Sequence, residues 1–274
     1  MKKFLLAVAS VVFGTASAFA ADLAPHYTKA PVMAAAYNWT GFYVGGNVGG
    51  QWGSSDPTTT TQFPVASYFA DSSVSAIATV GAQHINSSSV TGGLTAGYNW
   101  QVGNAVLGLE GDINYFGFKG SASGSALYPC CAPTSFTVNS QISADWLATI
   151  RGRIGFLATP SWLIYATGGA AIADVKGDFT FTDTFAAATE SGSIRDTRVG
   201  WTAGVGGEYA VGNGWSLKAE YLYVDLGRVS MTSNNLFTGI ARPTQTFTHS
   251  FDLTSNIVRV GLNYKFGGPV AARY

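Results

Sequence analysis

The stretch from Ile257 to Phe266 carries a pattern that constrains the solvent around the fold. Val258, Val260, Leu262, Tyr264 and Phe266 fall on one face of an extended chain, and Arg259, Gly261, Asn263 and Lys265 on the other. Side chains alternate between the two faces of a strand with a period of two. Aliphatic and aromatic residues outside, with Arg, Asn and Lys inside, are backwards for a soluble barrel. They suit a barrel whose outer solvent is lipid and whose interior is polar.

The same period recurs upstream. Trp215, Leu217, Ala219, Tyr221 and Tyr223 alternate with Ser216, Lys218, Glu220, Leu222 and Val224. Trp146, Ala148, Ile150, Ile154 and Phe156 oppose Leu147, Thr149, Arg151, Arg153 and Gly155. Leu107, Leu109, Ile113 and Tyr115 oppose Gly108, Glu110, Asp112 and Asn114, and Trp201, Ala203, Val205 and Tyr209 oppose Thr202, Gly204, Gly206 and Glu208. Phe42, Val44, Val48 and Trp52 oppose Tyr43, Asn47 and Gln51, while Leu94, Ala96, Tyr98 and Trp100 oppose Thr95 and Asn99. The stretch Trp162 to Asp174 is apolar on both faces and reads as a strand of unassigned orientation. Eight strands result, near 41–53, 91–101, 105–118, 143–158, 162–174, 197–210, 215–227 and 253–266. Most reach the ~9–11 residues a tilted span requires.

The connections alternate in length. Segments 54–90, 119–142, 175–196 and 228–252 are long and rich in Ser, Thr, Ala and Asn. Between them lie the short turns 102–104, 159–161 and 211–214, with the Gly, Asn and Pro chemistry of tight reversals. Long connections outside and short ones in the periplasm are the outer-membrane arrangement, and an even strand count puts both ends of the barrel in the periplasm. The expected fold is an all-β, antiparallel, up-and-down transmembrane barrel of eight strands over 40–266. An extra hairpin within 54–90 would lengthen the first loop or, at most, raise the count to ten. Paired glycines such as Gly45-Gly46, Gly49-Gly50, Gly168-Gly169 and Gly206-Gly207 allow a narrow barrel to curve and leave room for neighbouring rings.

Composition agrees. Only 11% of residues are charged, 14% are aromatic and 34 are glycine, yet no apolar run after the first twenty residues reaches the ~18 of a helical span. At the N-terminus, Lys2-Lys3, the apolar run 4–14 and Ala18-Phe19-Ala20 read as a cleaved Sec signal peptide over 1–20. Without Lys2 and Lys3 the chain has 13 basic against 15 acidic side chains, a formal charge of −2, which argues against nucleic acid as a partner. Residues 21–39, with Pro25 and Pro31, read as a periplasmic lead-in that partly plugs the barrel mouth, and 267–274 as a tail. Cys130 and Cys131 are adjacent, so they make no fold-defining framework. In an oxidising compartment a vicinal disulfide, pairing between chains and free thiols all stay open.

The inward faces collect Glu110, Asp112, Glu208 and Glu220 against Arg151, Arg153, Lys218, Arg259 and Lys265. Charges facing so narrow an interior must pair, because an isolated buried ion is very costly. An interlocked salt-bridge core is the expectation, and a gated polar pathway in which the pairs rearrange is the alternative. Eight strands leave an interior just wide enough for side chains, which disfavours a constitutive diffusion pore. No Ser/His/Asp order, HExxH pair or zinc-like spacing appears, so neither a catalytic residue, a metal site nor a cofactor is expected. His84 and His249 lie in expected outer loops. The residues themselves read as ordinary solvated loop side chains. Trp39, Trp52, Trp100, Trp162 and Trp215 sit near strand ends, as an interfacial aromatic girdle requires.

Residues 38–49, Asn-Trp-Thr-Gly-Phe-Tyr-Val-Gly-Gly-Asn-Val-Gly, resemble the opening strand of a family of small alphaproteobacterial outer-membrane barrels. That family includes the RopB-type proteins of rhizobia and the small surface barrels of Brucella and Bartonella. Further matching segments are 21–25, 27–31, 97–100, 165–169, 218–223 and 258–266. The resemblance implies an OmpA/OmpX-like eight-stranded barrel in the outer membrane, abundant at the surface and often labelled a porin, with haem binding in some relatives; it makes His84 and His249 candidate axial haem ligands, if loops one and four adjoin at the closure seam. It also implies partners: outer-membrane lipid and lipopolysaccharide, periplasmic chaperones, and an assembly machinery that reads the C-terminal aromatics Tyr264 and Phe266. Two features depart from the family pattern. Residues follow Phe266, so either a tail trails the signal or Tyr274 replaces it, and the Cys130-Cys131 pair is unusual. Three roles follow: a non-enzymatic barrel supporting envelope integrity and surface properties, porin-like passage through a gated lumen, or binding of haem or host ligands by the loops.

Overall fold

The structure is a computed structural model and describes residues 37–65 and 67–267. The expected signal peptide, most of the lead-in and the tail beyond Gly267 lie outside the described residues. The strands are β1 (Gly41–Ser55), β2 (Thr58–Thr61), β3 (Ile85–Val102), β4 (Ala105–Leu127), β5 (Ser135–Thr159), β6 (Trp162–Asp183), β7 (Thr189–Gly212), β8 (Trp215–Ser233) and β9 (Phe247–Lys265), with one helix, α1 (Asp71–Gly81). Eight of them form an antiparallel ring, β1-β3-β4-β5-β6-β7-β8-β9, closed where β1 pairs with β9 from Tyr43↔Lys265 to Ser54↔Thr254.

The ring is the expected barrel, but its strands run much further outward than the sequence pattern suggests. The connection expected at 119–142 shrinks to 128–134, and that at 175–196 to 184–188. The reason is an inversion of the pattern. Within the membrane zone apolar side chains point out. Above it the inward positions Phe136, Val138, Phe179 and Phe181 are buried and apolar, while Thr137, Asn139, Asp178 and Thr180 face outward. That is the alternation of a soluble sheet, so polar segments that resemble loops continue as strands once the outer solvent is water. The inversion coincides with β-bulges, at Tyr115/Phe118 between β4 and β5 and at Asp225/Arg228 between β8 and β9. Each inserts a glycine of positive φ, Gly117 at 61° and Gly227 at 69°, a conformation that other residues enter at a cost.

Among its described residues the first loop holds no hairpin. After the break at Asp56-Pro57, β2 takes over the place of β1 beside β9, Thr58↔Ser250 to Thr61↔Phe247. The chain then turns into α1, which lies over the outer end of the barrel against β2, β4 and β5. Ser73, Ile77 and Gly81, spaced four apart on one helical face, are its buried residues. A Cβ at Gly81 would stand 2.2 Å from the Thr59 carbonyl oxygen, so the helix end meets β2 directly.

The lipid-facing band is bounded by aromatic residues at both ends. Phe42, Trp100, Phe156, Trp162, Tyr209, Trp215 and Phe266 ring the periplasmic side, and Trp52, Tyr115 and Trp201 the outer side, all exposed. Phe42 and Trp52 are ten residues apart on one strand; at about 3.4 Å per residue and about 40° tilt they are separated by roughly 26 Å, close to the ~25 Å apolar band of such barrels. Trp39 departs from the expected girdle. It is 1% exposed and turned into the barrel mouth.

Candidate functional site in the barrel lumen

The lumen is filled in layers. At the periplasmic mouth Trp39 packs with Val106, Leu163, Tyr165 and Ala210. Its indole Nε1 donates to the Pro160 carbonyl at 3.2 Å and its backbone N–H to Gln101 Oε1 at 2.8 Å. The chain entering β1 thereby closes its own barrel from below.

Above the mouth lies an ionic layer, built because alternation points every second residue of β4, β5, β7, β8 and β9 inward at one height. Arg151 is its hub, fully buried. Nη2 donates to Glu110 Oε1 at 2.6 Å and Asp112 Oδ2 at 2.7 Å, Nη1 to Glu220 Oε1 at 3.1 Å, and Nε to Thr149 Oγ1 at 2.9 Å. Arg259 joins Glu220 at 2.6 Å and Asp112 at 2.9 Å, and Lys218 Nζ reaches both Glu110 oxygens at 2.9 Å. Arg153 bonds Glu208 at 2.8 Å and lies 4.0 Å from the Tyr165 ring centroid, a buried cation–π contact. Four carboxylates thus face four cations. The layer is neutral, and nearly every charge has two or more partners, which is the condition for burying ions at tolerable cost.

Eight of the nine charged residues expected in the lumen therefore meet. Lys265 does not. It sits at the strand end on the periplasmic rim, where Nζ donates to the carbonyls of Gly267 at 3.1 Å and Thr40 at 3.4 Å, and among the described residues no carboxylate oxygen lies within 4.0 Å. Two phenols absent from the charge inventory complete the layer. Tyr43 donates to Glu110 Oε2 at 2.6 Å and Tyr165 to Glu220 Oε1 at 2.9 Å. Each ring lies over a glycine on a neighbouring strand: a Cβ would stand 2.5 Å from Tyr43 at Gly97 and 2.4 Å from Tyr165 at Gly206. Tyr43 was legible as an inward residue. Tyr165 was not, because its strand is apolar on both faces; the sequence signal was the matching glycine.

Directly above, the lumen becomes predominantly apolar, with Gln51 and Ser255 among its few polar side chains. Phe116, Phe118, Leu147, Leu222, Val224, Phe251, Leu253 and their neighbours form an apolar plug across the barrel. Over it, His249 is buried on β9 rather than lying in a loop, since β9 extends outward to Phe247. Its Nδ1 pairs with Thr59 Oγ1 at 2.9 Å and its Nε2 with Glu190 Oε1 at 3.1 Å, and its ring stacks 4.6 Å from Phe179. His84 is at the surface, with Nδ1 on Asp56 at 2.6 Å and Nε2 on Asn86 at 3.1 Å. The first loop does adjoin β9 at the seam, through Thr59, but the two imidazoles share no site and each has both nitrogens engaged. A second apolar cluster, with Phe69, Ile77, Phe136, Phe181 and Phe247, closes the outer end beneath α1. At the tip, Cys130 and Cys131 form a vicinal disulfide.

Tyr264 and Phe266 lie at the closure seam. The Phe266 ring stacks 5.8 Å from Phe42 and meets Tyr264 edge-to-face at 5.2 Å, and its N–H donates to the Phe42 carbonyl at 2.9 Å.

Comparison with known proteins agrees with this architecture. The model of the outer membrane protein beta-barrel domain matches residues 6–266. The 31 kDa outer-membrane immunogenic protein of Brucella melitensis is 35% identical over 97% of this chain and 100% of its own length. The 25 kDa outer-membrane immunogenic protein of Brucella abortus is 26% identical over 97% of this chain and 99% of its own. The 22 kDa outer membrane protein of Rhizobium leguminosarum is 29% identical over 64% of this chain and 65% of its own. The chain belongs to the outer-membrane β-barrel protein family represented by these alphaproteobacterial relatives, and its place is the outer membrane.

Proposed function

We propose that this protein is a non-enzymatic, sealed barrel that contributes to envelope integrity and to the properties of the cell surface. Its apolar band engages outer-membrane lipid and its extended strands present a closed platform to the outside. The observation that carries this reading is the occluded lumen. Arg151 is 0% exposed and locked to three carboxylates, and an apolar plug lies above it. An ion in transit would have to break a buried pair and then cross a predominantly apolar layer, and both steps carry a large desolvation cost. Porin-like passage is therefore the weaker reading.

Single-channel recording on refolded protein in planar bilayers tests it, with a heat-modifiability gel to establish folding. Folded protein without reproducible conductance steps is the expected result. Reproducible steps that change when Arg151 or Glu110 is neutralised would establish a pathway through the lumen and overturn the sealed-barrel reading.

A further inference from the structure

Three connections meet at the outer tip around a cavity of about 160 Å³. Tyr68 and Phe69 come from the segment before α1, Tyr128 and the Cys130–Cys131 disulfide from the β4–β5 turn, and Asp183 and Phe185 from the end of β6. Four of the nine lining residues are aromatic. The Tyr68 ring lies 5.0 Å from Phe69 and 6.2 Å from Phe185, and Phe69 lies 6.4 Å from Tyr128.

Asp183 supplies the charge. It is 8% exposed, and no lysine, arginine or histidine nitrogen stands within 4.0 Å of its carboxylate among the described residues. Its Oδ2 accepts the phenols of Tyr68 at 2.7 Å and Tyr128 at 2.9 Å, and its Oδ1 accepts the backbone N–H groups of Ala186 at 3.2 Å and Ala188 at 2.9 Å. Burial and then the carboxylate push both phenols' pKa upward, so they stay protonated as donors. Among the described residues, Arg242 places its guanidinium over one of these rings, 6.0 Å from the Tyr68 centroid, a cation–π contact at the edge of the distance range. It bonds Thr238 and does not line the cavity.

This arrangement selects a class of ligand. A carboxylate accepts about four hydrogen bonds, and all four positions on Asp183 are taken. Its charge acts on the cavity, but it has no acceptor left for a sugar hydroxyl or a primary ammonium. The phenols are spent as donors, and the Ser73 hydroxyl faces Cys130 Sγ at 3.6 Å. What remains is negative potential and aromatic surface with few free hydrogen-bonding groups. A methylated ammonium fits that description. It carries positive charge, donates no N–H, and is the ligand that aromatic cages hold by cation–π attraction. Size agrees, since an apolar cavity of about 150 Å³ takes a benzene ring and a trimethylammonium group is smaller. We propose that the cavity between Tyr68, Tyr128, Asp183 and Phe185 binds a trimethylammonium head group at the cell surface. The site stands apart from the lumen and does not depend on whether the barrel conducts.

The test is calorimetric titration of the folded, detergent-solubilised protein with choline, with its neutral isostere 3,3-dimethyl-1-butanol, and with glucose. Saturable choline binding, at least tenfold weaker binding of the isostere and no glucose binding are expected. Asp183→Asn should abolish choline binding, and Phe185→Ala, at an exposed rim position, should weaken it several-fold while heat modifiability is retained. Should Asp183→Asn fail to fold, the isostere comparison on the unaltered protein still decides. Equal affinity for choline and isostere, or no saturable choline binding by folded protein, would overturn the proposal. Vesicles of phosphatidylcholine and phosphatidylglycerol separate two sources of the head group. Choline-sensitive association with the former alone marks a lipid ligand, and choline binding without vesicle association marks a free solute.

Discussion

At the residue scale the fold depends most on Arg151, because no other lumen side chain among the described residues joins three carboxylates. A guanidinium does this with a planar fork of donors, which a lysine ammonium cannot reproduce. Arg151→Met would leave Glu110, Asp112 and Glu220 with one cation too few in a buried layer. Removing one partner from a buried ion pair costs about 3–5 kcal/mol. The expected outcome is a loss of that size in urea unfolding of the bilayer-inserted protein. Arg228→Ala is the contrast: its pair with Asp252 spans 3.7 Å at the surface and its side chain is 60% exposed, so the change should stay within about 0.5 kcal/mol. Equal effects of the two substitutions would mean that the lumen layer is hydrated and exchangeable. The members of this layer were legible from alternation alone, because charges on lipid-spanning strands have only the inside to face. Lys265 shows where that logic stops: inward parity at a strand end leads to the rim, where water and carbonyls replace carboxylates.

At the scale of the element, paired glycines divide their work between two faces. Gly168 points outward, where an added Cβ meets nothing nearer than the Thr202 carbonyl oxygen at 3.5 Å. Gly169 points inward, where a Cβ would stand 2.0 Å from the Ile150 carbonyl oxygen and 2.7 Å from Arg151 Cα. Gly169→Ala should therefore force β6 away from β5 and lower the heat-modifiable, folded fraction several-fold, while Gly168→Ala should refold as the unaltered chain does. Similar yields for both would show that the strands separate at little cost. The spans themselves could be read from sequence because lipid tolerates few polar side chains. The outer halves of β4 to β7 could not, since Ser, Thr and Asn suit a loop and the wet face of a strand equally well. Only the buried partners Phe136, Val138, Phe179 and Phe181 distinguish the two, and their spacing has meaning once the inversion of solvent is known. Helix α1 was hidden for a related reason: its Ser- and Ala-rich sequence buries little more than Ile77.

For the whole molecule, the layers act as seals in series, and a series remains closed while any one of them holds. Trp39 stops the periplasmic mouth, the ionic layer spans the lower lumen, and two apolar clusters, with the buried His249–Glu190 pair between them, occupy the upper half. Trp39→Ala removes the first seal and leaves a void lined by Val106, Leu163 and Tyr165. Loss of so large a buried side chain costs about 3–5 kcal/mol when the surroundings do not collapse. The thermal transition should fall accordingly, yet the variant should remain silent in planar bilayers, because water admitted at the mouth still meets Arg153 and Arg151 in their pairs and the plug above them. Stability and conductance are thus expected to separate. Conductance steps in Trp39→Ala alone would mean that the inner layers already pass ions and that the entering chain, not the ionic lattice, keeps the barrel shut.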